Sequence, residues 1–253
     1  LKNFTSLLDK QKKIKHYPVY NEGSAVSLGI GHYLATKKLA CIYLQNSGLS
    51  NCINPLISIA HKKVYSIPLL LIIGWRGSPQ GPKDEPQHNV KGKITRNLLK
   101  LLDIKNIVIR KNKDVKKLKN LINFSVKNKV TVACLVENNT LKGLKNYQTF
   151  KKNNLNISRA TAVKELLKII GKKTKIISTT GFTSREVFQL RKENNLLNGK
   201  DFYMIGGMGH SGMISLGVSL SKGNQVVCLD GDGSIMMHFG SLKTQGLFGK
   251  KNF

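Results

Sequence analysis

Residues 226–234 read VVCLDGDGS. An apolar run of strand-forming residues stops in two aspartates that alternate with two glycines, and a serine follows. A buried strand that ends this way presents a carboxylate and several free backbone N–H groups at one edge of a sheet. Such groups can hold a divalent metal and the phosphates it bridges. Magnesium prefers oxygen ligands and keeps phosphate oxygens in its shell, so Asp232 can serve as ligand while Gly233 and Ser234 offer backbone N–H groups. The competing reading is a tight turn after a core strand, since Asp-Gly is common turn chemistry.

Two other places join a strand end to a glycine-rich helix start. In Asn21-Glu22-Gly23-Ser24-Ala25 a carboxylate stands where the chain turns into a helix; the plainer role for such an acid is to complement the helix dipole. In Gly206-Gly207-Met208-Gly209-His210 the same pattern recurs shortly before Asp232. Glycines there let a backbone approach a ligand closely.

The elements that must position these residues alternate between short apolar strands and amphipathic helices. After a helix end and a basic linker, the pattern predicts a strand at 17–20, a helix at 22–35, a strand at 40–44, a helix at 47–60 and a strand at 69–74. A Gly/Pro-rich loop over 75–86 is long enough to be a working loop. A helix at 91–102, a strand at 106–109, a helix at 113–127 and a strand at 130–136 follow. Residues 141–157 are polar and rich in Lys and Asn, and are expected to be a linker. At Ser158 a helix N-cap signal restarts the alternation: helices at 159–170, 184–193 and 209–221, strands at 175–178, 202–205 and 225–229. The expected fold class is therefore α/β, with two domains at 1–140 and 158–253. Each should be a mostly parallel sheet with helices on both faces.

Composition narrows the function classes. The 253 residues carry a formal charge of +29, which would suit nucleic acid. The charge is overwhelmingly Lys, however, spread along the chain and accompanied by Asn and Ile. Arg, the better residue for bidentate phosphate recognition, is scarce. The densest basic segment, 111–119, reads as a solvated helix face, and no nucleic-acid partner is expected. No apolar run reaches membrane-spanning length, so no membrane partner is expected either, and the expected location is the cytoplasm. Cys41, Cys52, Cys134 and Cys228 have no CxxC pairing and read as reduced thiols, with no structural zinc site. The chain begins at Leu1 and stops in what looks like the approach to another strand, so it reads as a piece of a longer protein, truncated at both ends.

The three glycine-rich segments, in this order, resemble those of the thiamine-diphosphate-dependent decarboxylases. Glu22 matches the family's glutamate, 206–209 its pyrimidine-facing turn and 231–234 its metal–diphosphate motif. The segments NEGSAVSLGIGHYLATKK, YLQNSGLSNCINPL, SIPLLLIIGWRGSP, DEPQH and GGMGHSGMISLGVSL are most similar to the branch acting on phosphonopyruvate and sulfopyruvate. The resemblance covers essentially the whole chain and implies a pyrimidine-binding domain followed directly by a diphosphate-binding domain.

That resemblance implies thiamine diphosphate and Mg2+ as cofactors, and a small 2-oxo acid bearing a phosphonate or sulfonate as substrate. It implies decarboxylation of 3-phosphonopyruvate to phosphonoacetaldehyde within organophosphonate biosynthesis, with sulfopyruvate as the alternative substrate. Glu22 would be the catalytic acid–base group on the aminopyrimidine ring. The Gly206 carbonyl would accept from the exocyclic amine, beside Gly207, and Met208 would wedge beneath the cofactor. Gly231, Asp232, Gly233 and Ser234 would hold the diphosphate and metal, with Asp232 the ligand. The second metal ligand of the family lies beyond Phe253, and Asn252 is not assigned to it. An anionic substrate calls for Arg, Lys or His: Arg76, Lys83 and His88 in the long loop, and His210, are candidates, with Gln45, Asn46 and Ser47 at a strand end. In the family the glutamate and the diphosphate motif of one site come from different subunits, which implies a homodimer or higher homo-oligomer. The alternative from another class is a non-catalytic basic scaffold that keeps the fold; retention of Glu22 together with Asp232 argues against it.

Overall fold

The computed structural model describes residues 2–10, 13–141, 157–171, 173–195, 200–221, 223 and 225–253. The expected linker at 141–157 lies, apart from its two end residues, outside them. The chain divides into two compact units, Leu1–Gln148 and Thr149–Phe253.

In the first unit, α1 (Lys2–Asp9) and α2 (Glu22–Thr36) precede β1 (Ala40–Gln45). A helical segment follows, then β2 (Leu69–Trp75), α4 (Pro86–Leu101), β3 (Lys105–Ile109), α5 (Val115–Asn128) and β4 (Val132–Glu137). The four strands form one parallel sheet in the order β1-β2-β4-β3. β2 and β4 are buried almost throughout, as interior parallel strands are, whereas β1 alternates at the edge. On one face Val26 and Ile30 of α2 and Leu99 of α4 pack with Leu69, Leu71, Ile73 and Leu135. On the other, Leu121 of α5 meets Leu70 and Val132. Gly29 lets α2 lie close to the sheet: a Cβ there would meet Ile42 Cδ1 at 2.9 Å.

Four local expectations are corrected. Residues 17–20 form no strand; Pro18 lacks an N–H for a ladder, and Tyr17 and Tyr20 stay exposed, so pairing would bury nothing. The helix expected at 47–60 is a 3-10 stretch (Asn46–Cys52), one α turn here labelled α3 (Ile53–Pro55) and a π stretch (Leu56–Ala60). Pro55 has no N–H to return to the Asn51 carbonyl. That carbonyl lies instead over Gly23, 2.5 Å from where a Cβ would stand. α4 begins at Pro86 rather than at 91, because proline is well suited to the first helical position. The helix expected from 209 begins two residues later, since Gly207 (φ +69°) and Gly209 (φ +92°) are left-handed.

In the second unit, α6 (Arg159–Ile169), β5 (Lys175–Ser178), α7 (Phe182–Glu193), β6 (Phe202–Tyr203), α8 (Ser211–Ser219), β7 (Val226–Leu229), α9 (Asp232–Met237) and α10 (Ser241–Phe248) follow in order. The strands are parallel, ordered β6-β5-β7. Val163 of α6 and Val187 of α7 pack on Ile176. Cys228 lies one register position on and turns the other way, towards Ser215 and Ser211 of α8. Helices thus cover both faces, and the α/β reading holds for both units. Arg191 and Asp201 form a buried ion pair, Nε to Oδ2 3.0 Å, with side chains 2% and 3% exposed. The basic segment 111–119 is mostly exposed, as a solvated face should be. Among the described residues no helix is long and apolar enough to cross a membrane.

Candidate functional site

Glu22 is the first residue of α2. Asn21 caps that helix, its Oδ1 accepting from the N–H groups of Gly23 (2.8 Å) and Ser24 (3.2 Å). With those donors taken by the cap, the Glu22 carboxylate is directed to the segment after β1. Its Oε2 accepts from Asn51 Nδ2 at 2.8 Å, and the carboxyl rests on Gly48, where any Cβ would overlap it. Cys52 lies within its field: burial, and then the Glu22 charge, push the Cys52 thiol up to about 12, so this sulfur stays protonated.

The other candidates of this unit gather at the C-terminal edge of the same sheet, where parallel α/β sheets bind ligands. Asn46, 5% exposed, is internally engaged. Its Nδ2 donates to the Arg76 carbonyl and to Thr95 Oγ1, both at 3.0 Å, and its Oδ1 accepts from the Arg76 N–H at 3.1 Å. It joins the ends of β1 and β2 to α4. Gln45 Oε1 accepts from Ser47 Oγ at 2.6 Å. The Arg76 guanidinium donates twice to Asp84, 2.9 and 2.5 Å, and holds that carboxyl below the usual range. His88 stands 3.8 Å from Glu85, with Nδ1 buried and without a hydrogen-bond partner. Burial, then Arg76, lowers its pKa. Lys91, absent from the sequence-based candidates, donates to the Ser47 carbonyl at 3.2 Å.

In the second unit β7 runs into Asp230-Gly231, and the Gly231 N–H donates to Asp230 Oδ1 at 2.9 Å. Asp232 opens α9 with an exposed carboxylate. Ser234, 2% exposed, turns inward: its Oγ accepts from the Gly209 N–H (2.8 Å) and from Thr179 Oγ1 (3.2 Å). The turn 206–209 is thereby brought to the aspartate loop. Met208 reaches Gly233, its Cε 3.0 Å from where a Cβ would stand. His210 is exposed and stacks on His238, ring centroids 4.8 Å apart.

Residues 1–95 match the thiamine pyrophosphate enzyme N-terminal TPP binding domain, and residues 177–247 the corresponding C-terminal TPP binding domain. Phosphonopyruvate decarboxylase of Streptomyces viridochromogenes is 34% identical over 248 residues, 92% of this chain and 60% of that protein. Sulfopyruvate decarboxylase subunit alpha of Methanocaldococcus jannaschii is 37% identical over 127 residues, 49% of this chain and 69% of that subunit. Subunit beta of the same organism is 36% identical over 95 residues, 38% of this chain and 48% of the subunit. The chain belongs to the thiamine-diphosphate-dependent decarboxylase family. It spans about 60% of the length of the phosphonopyruvate decarboxylases that it matches.

The residues present suit the cofactor of this decarboxylase family. Gly207 and Gly209 hold left-handed conformations that L-residues avoid. The backbone at 209 and 233 is approached closely by His238 and Met208, so the turn and the aspartate loop present main chain, not side chains, to a ligand. Asp232 offers a hard oxygen ligand, as a magnesium ion requires, although no cluster of three His, Cys, Asp or Glu occurs among the described residues. Asn51, Gly48, Thr179 and His238 were not legible as site residues. Gly48 and Asn51 lie within YLQNSGLSNCINPL without a role being readable there, and each of the four meets its partner only through tertiary contact.

Proposed function

We propose that the protein is a thiamine-diphosphate- and magnesium-dependent decarboxylase of 3-phosphonopyruvate, forming phosphonoacetaldehyde and carbon dioxide in organophosphonate biosynthesis. The observation that carries this reading is the 34% identity over 92% of the chain to a phosphonopyruvate decarboxylase. Loss of carbon dioxide from a 2-oxo acid leaves an electron pair on the carbonyl carbon, and thiamine diphosphate, when bound, supplies the sink for it.

The chain's own groups have separate tasks. Glu22 holds a proton against the aminopyrimidine ring, and Asn51 and Gly48 keep its carboxyl oriented. With the cofactor bound, the Gly206 carbonyl would be available as acceptor for its exocyclic amine, and Met208, supported on Gly233, would pack against it. Asp232 binds magnesium, and the backbone at 231–234 binds the diphosphate. For the substrate anion, His88, Lys91 and His210 have donor capacity. Asn46 and Arg76 act mainly by shaping the edge of the sheet, given the partners they already hold.

Sulfopyruvate is the second reading, favoured by similarity to both sulfopyruvate decarboxylase subunits. The two acids differ in one tetrahedral anion and its charge. Assembly into at least a homodimer with sites at the interface is part of the proposal. It is supported by α2, which exposes Ser24, Leu28, Gly31 and Ala35 along one stripe fit for close packing. A cytoplasmic setting suits the free cysteines.

The test is to assay the full-length protein with phosphonopyruvate, sulfopyruvate and pyruvate at matched magnesium. The highest kcat/KM is expected for phosphonopyruvate. Preference for sulfopyruvate selects the second reading, and equal turnover of pyruvate sinks both.

A further inference from the structure

The turn 206–209 and the loop after β7 are joined at three points. The buried Ser234 hydroxyl accepts the Gly209 N–H at 2.8 Å and is itself held by Thr179 at the end of β5, 3.2 Å away. The His238 ring lies on Gly209, where a Cβ would overlap its Cδ2, and stacks on His210 from the following residue. Met208 closes the third point against Gly233. His238 Nε2 is buried without a hydrogen-bond partner, so its ring acts here by packing and not by bonding. All three links run from one short segment, 232–238, to one turn.

We propose that Ser234 and His238 are positioning residues: through them the metal–diphosphate loop sets the shape of the 206–209 turn and hence the place of Met208. The argument is geometric. Gly207 and Gly209 are both left-handed and have little intrinsic preference for one conformation. A glycine-rich turn keeps a single shape only if its neighbours impose it, and here the neighbours belong to the loop that carries Asp232. Ordering that loop therefore orders the turn. The ligand-dependent half of this inference rests on the cofactor reading given above.

Amide hydrogen exchange on the full-length protein tests it, first without ligand and then with magnesium and thiamine diphosphate. Without ligand, Ser234→Ala should speed Gly209 exchange roughly tenfold, the scale of one lost hydrogen bond to a buried donor, while β5 amides keep their wild-type rates. Ser234→Thr, which retains the hydroxyl, should restore protection. With ligand, wild type should slow at both Gly233 and Gly209. Ser234→Ala and His238→Ala should slow at Gly233 only, and His238→Phe, which keeps a ring over Gly209, should behave as wild type.

Unchanged Gly209 exchange in Ser234→Ala overturns the proposal. So does a parallel rise at β5, which would mean general destabilisation, and so does equal ligand protection of Gly209 in all variants. If thiamine diphosphate fails to bind wild type at all, the cofactor reading falls. The ligand-free comparison then still decides whether Ser234 holds the turn.

Discussion

Glu22 and Asp232 have different surroundings and should fail differently. Glu22→Gln keeps the size of the side chain and its contact with Asn51, but it cannot hold the proton. Cofactor affinity, read by calorimetry, should change little, while carbon dioxide release falls by about 10²–10⁴. Asp232→Ala removes the proposed ligand oxygen from an exposed helix start. Thiamine diphosphate binding itself should weaken and recover in part at high magnesium. Full activity of Glu22→Gln would remove the glutamate from the mechanism. A second residue-scale prediction concerns Asp84, whose carboxyl is held low chiefly by the Arg76 hydrogen bonds. A depressed carboxylate contributes stability above its unfolded value, about 3.9, and loses it as pH falls through the lower folded value. Trp75, the single tryptophan, adjoins Arg76 and donates its indole N–H to the Gly92 carbonyl at 2.9 Å. Its emission should shift below about pH 4 as Asp84 protonates, separately from any change at higher pH that protonation of His88 brings to the same loop. In Asp84→Asn this acid step should disappear; its persistence would show that another group governs the loop.

The elements around the site owe their placement to close backbone contacts. α4 lies so near the loop after β2 that a Cβ at Gly92 would overlap the Gly77 carbonyl, and one at Gly77 (φ +64°) would overlap that of His88. The two glycines seat His88 and Lys91 at the sheet edge. Gly92→Ala should cost about 1–3 kcal/mol, as overpacking does, measured by urea unfolding of the protein. It should also raise KM for the 2-oxo acid more than it lowers kcat, because the loop carrying substrate candidates must shift. A variant of wild-type stability would mean that α4 moves freely. The broken helix of 46–60 is another such case. Its irregular course puts the Asn51 carbonyl over Gly23 and the Asn51 amide on Glu22, so a regular helix there would misplace the group that orients the carboxylate.

At the scale of the whole molecule, the proposed assembly makes a quantitative claim. If each site takes Glu22 from one copy and Asp232 from the other, a mixed dimer of Glu22→Gln and Asp232→Ala subunits holds one wild-type site and one doubly altered site. Random subunit exchange between two nearly inactive variants should then restore about a quarter of wild-type activity, from half the dimers each with half their sites. No recovery after proven exchange would mean that each site is built within one copy. The charge of +29 bears on the same scale. Lys is spread over exposed helix faces, as along α5, and Arg, the residue of bidentate phosphate and base contacts, is scarce. Binding to random DNA at physiological salt should be negligible, as a salt-titrated shift assay would register; tight binding lost steeply with salt would favour a scaffold.

Sequence alone determined the strands of both sheets, although it also suggested one at 17–20 that does not form, together with the alternation that makes the sheets parallel and the three glycine-rich segments. These are local properties. A short apolar run bounded by turn residues favours a buried strand, and a left-handed turn favours glycine. Breaks in the pattern were less legible, since the N-terminal limit of α4 at Pro86 and the course of 46–60 depend on what each segment packs against. Tertiary structure alone decided the partners. Asn51 reaches Glu22 across 29 positions, Ser234 reaches Gly209 across 25, and Asn46 reaches Arg76 across 30. It also decided the order β1-β2-β4-β3, which puts the two most apolar strands at the centre. Hydrogen bonds between distant residues leave no periodic trace in a sequence, because their geometry exists only once the sheet has brought the strand ends to one edge.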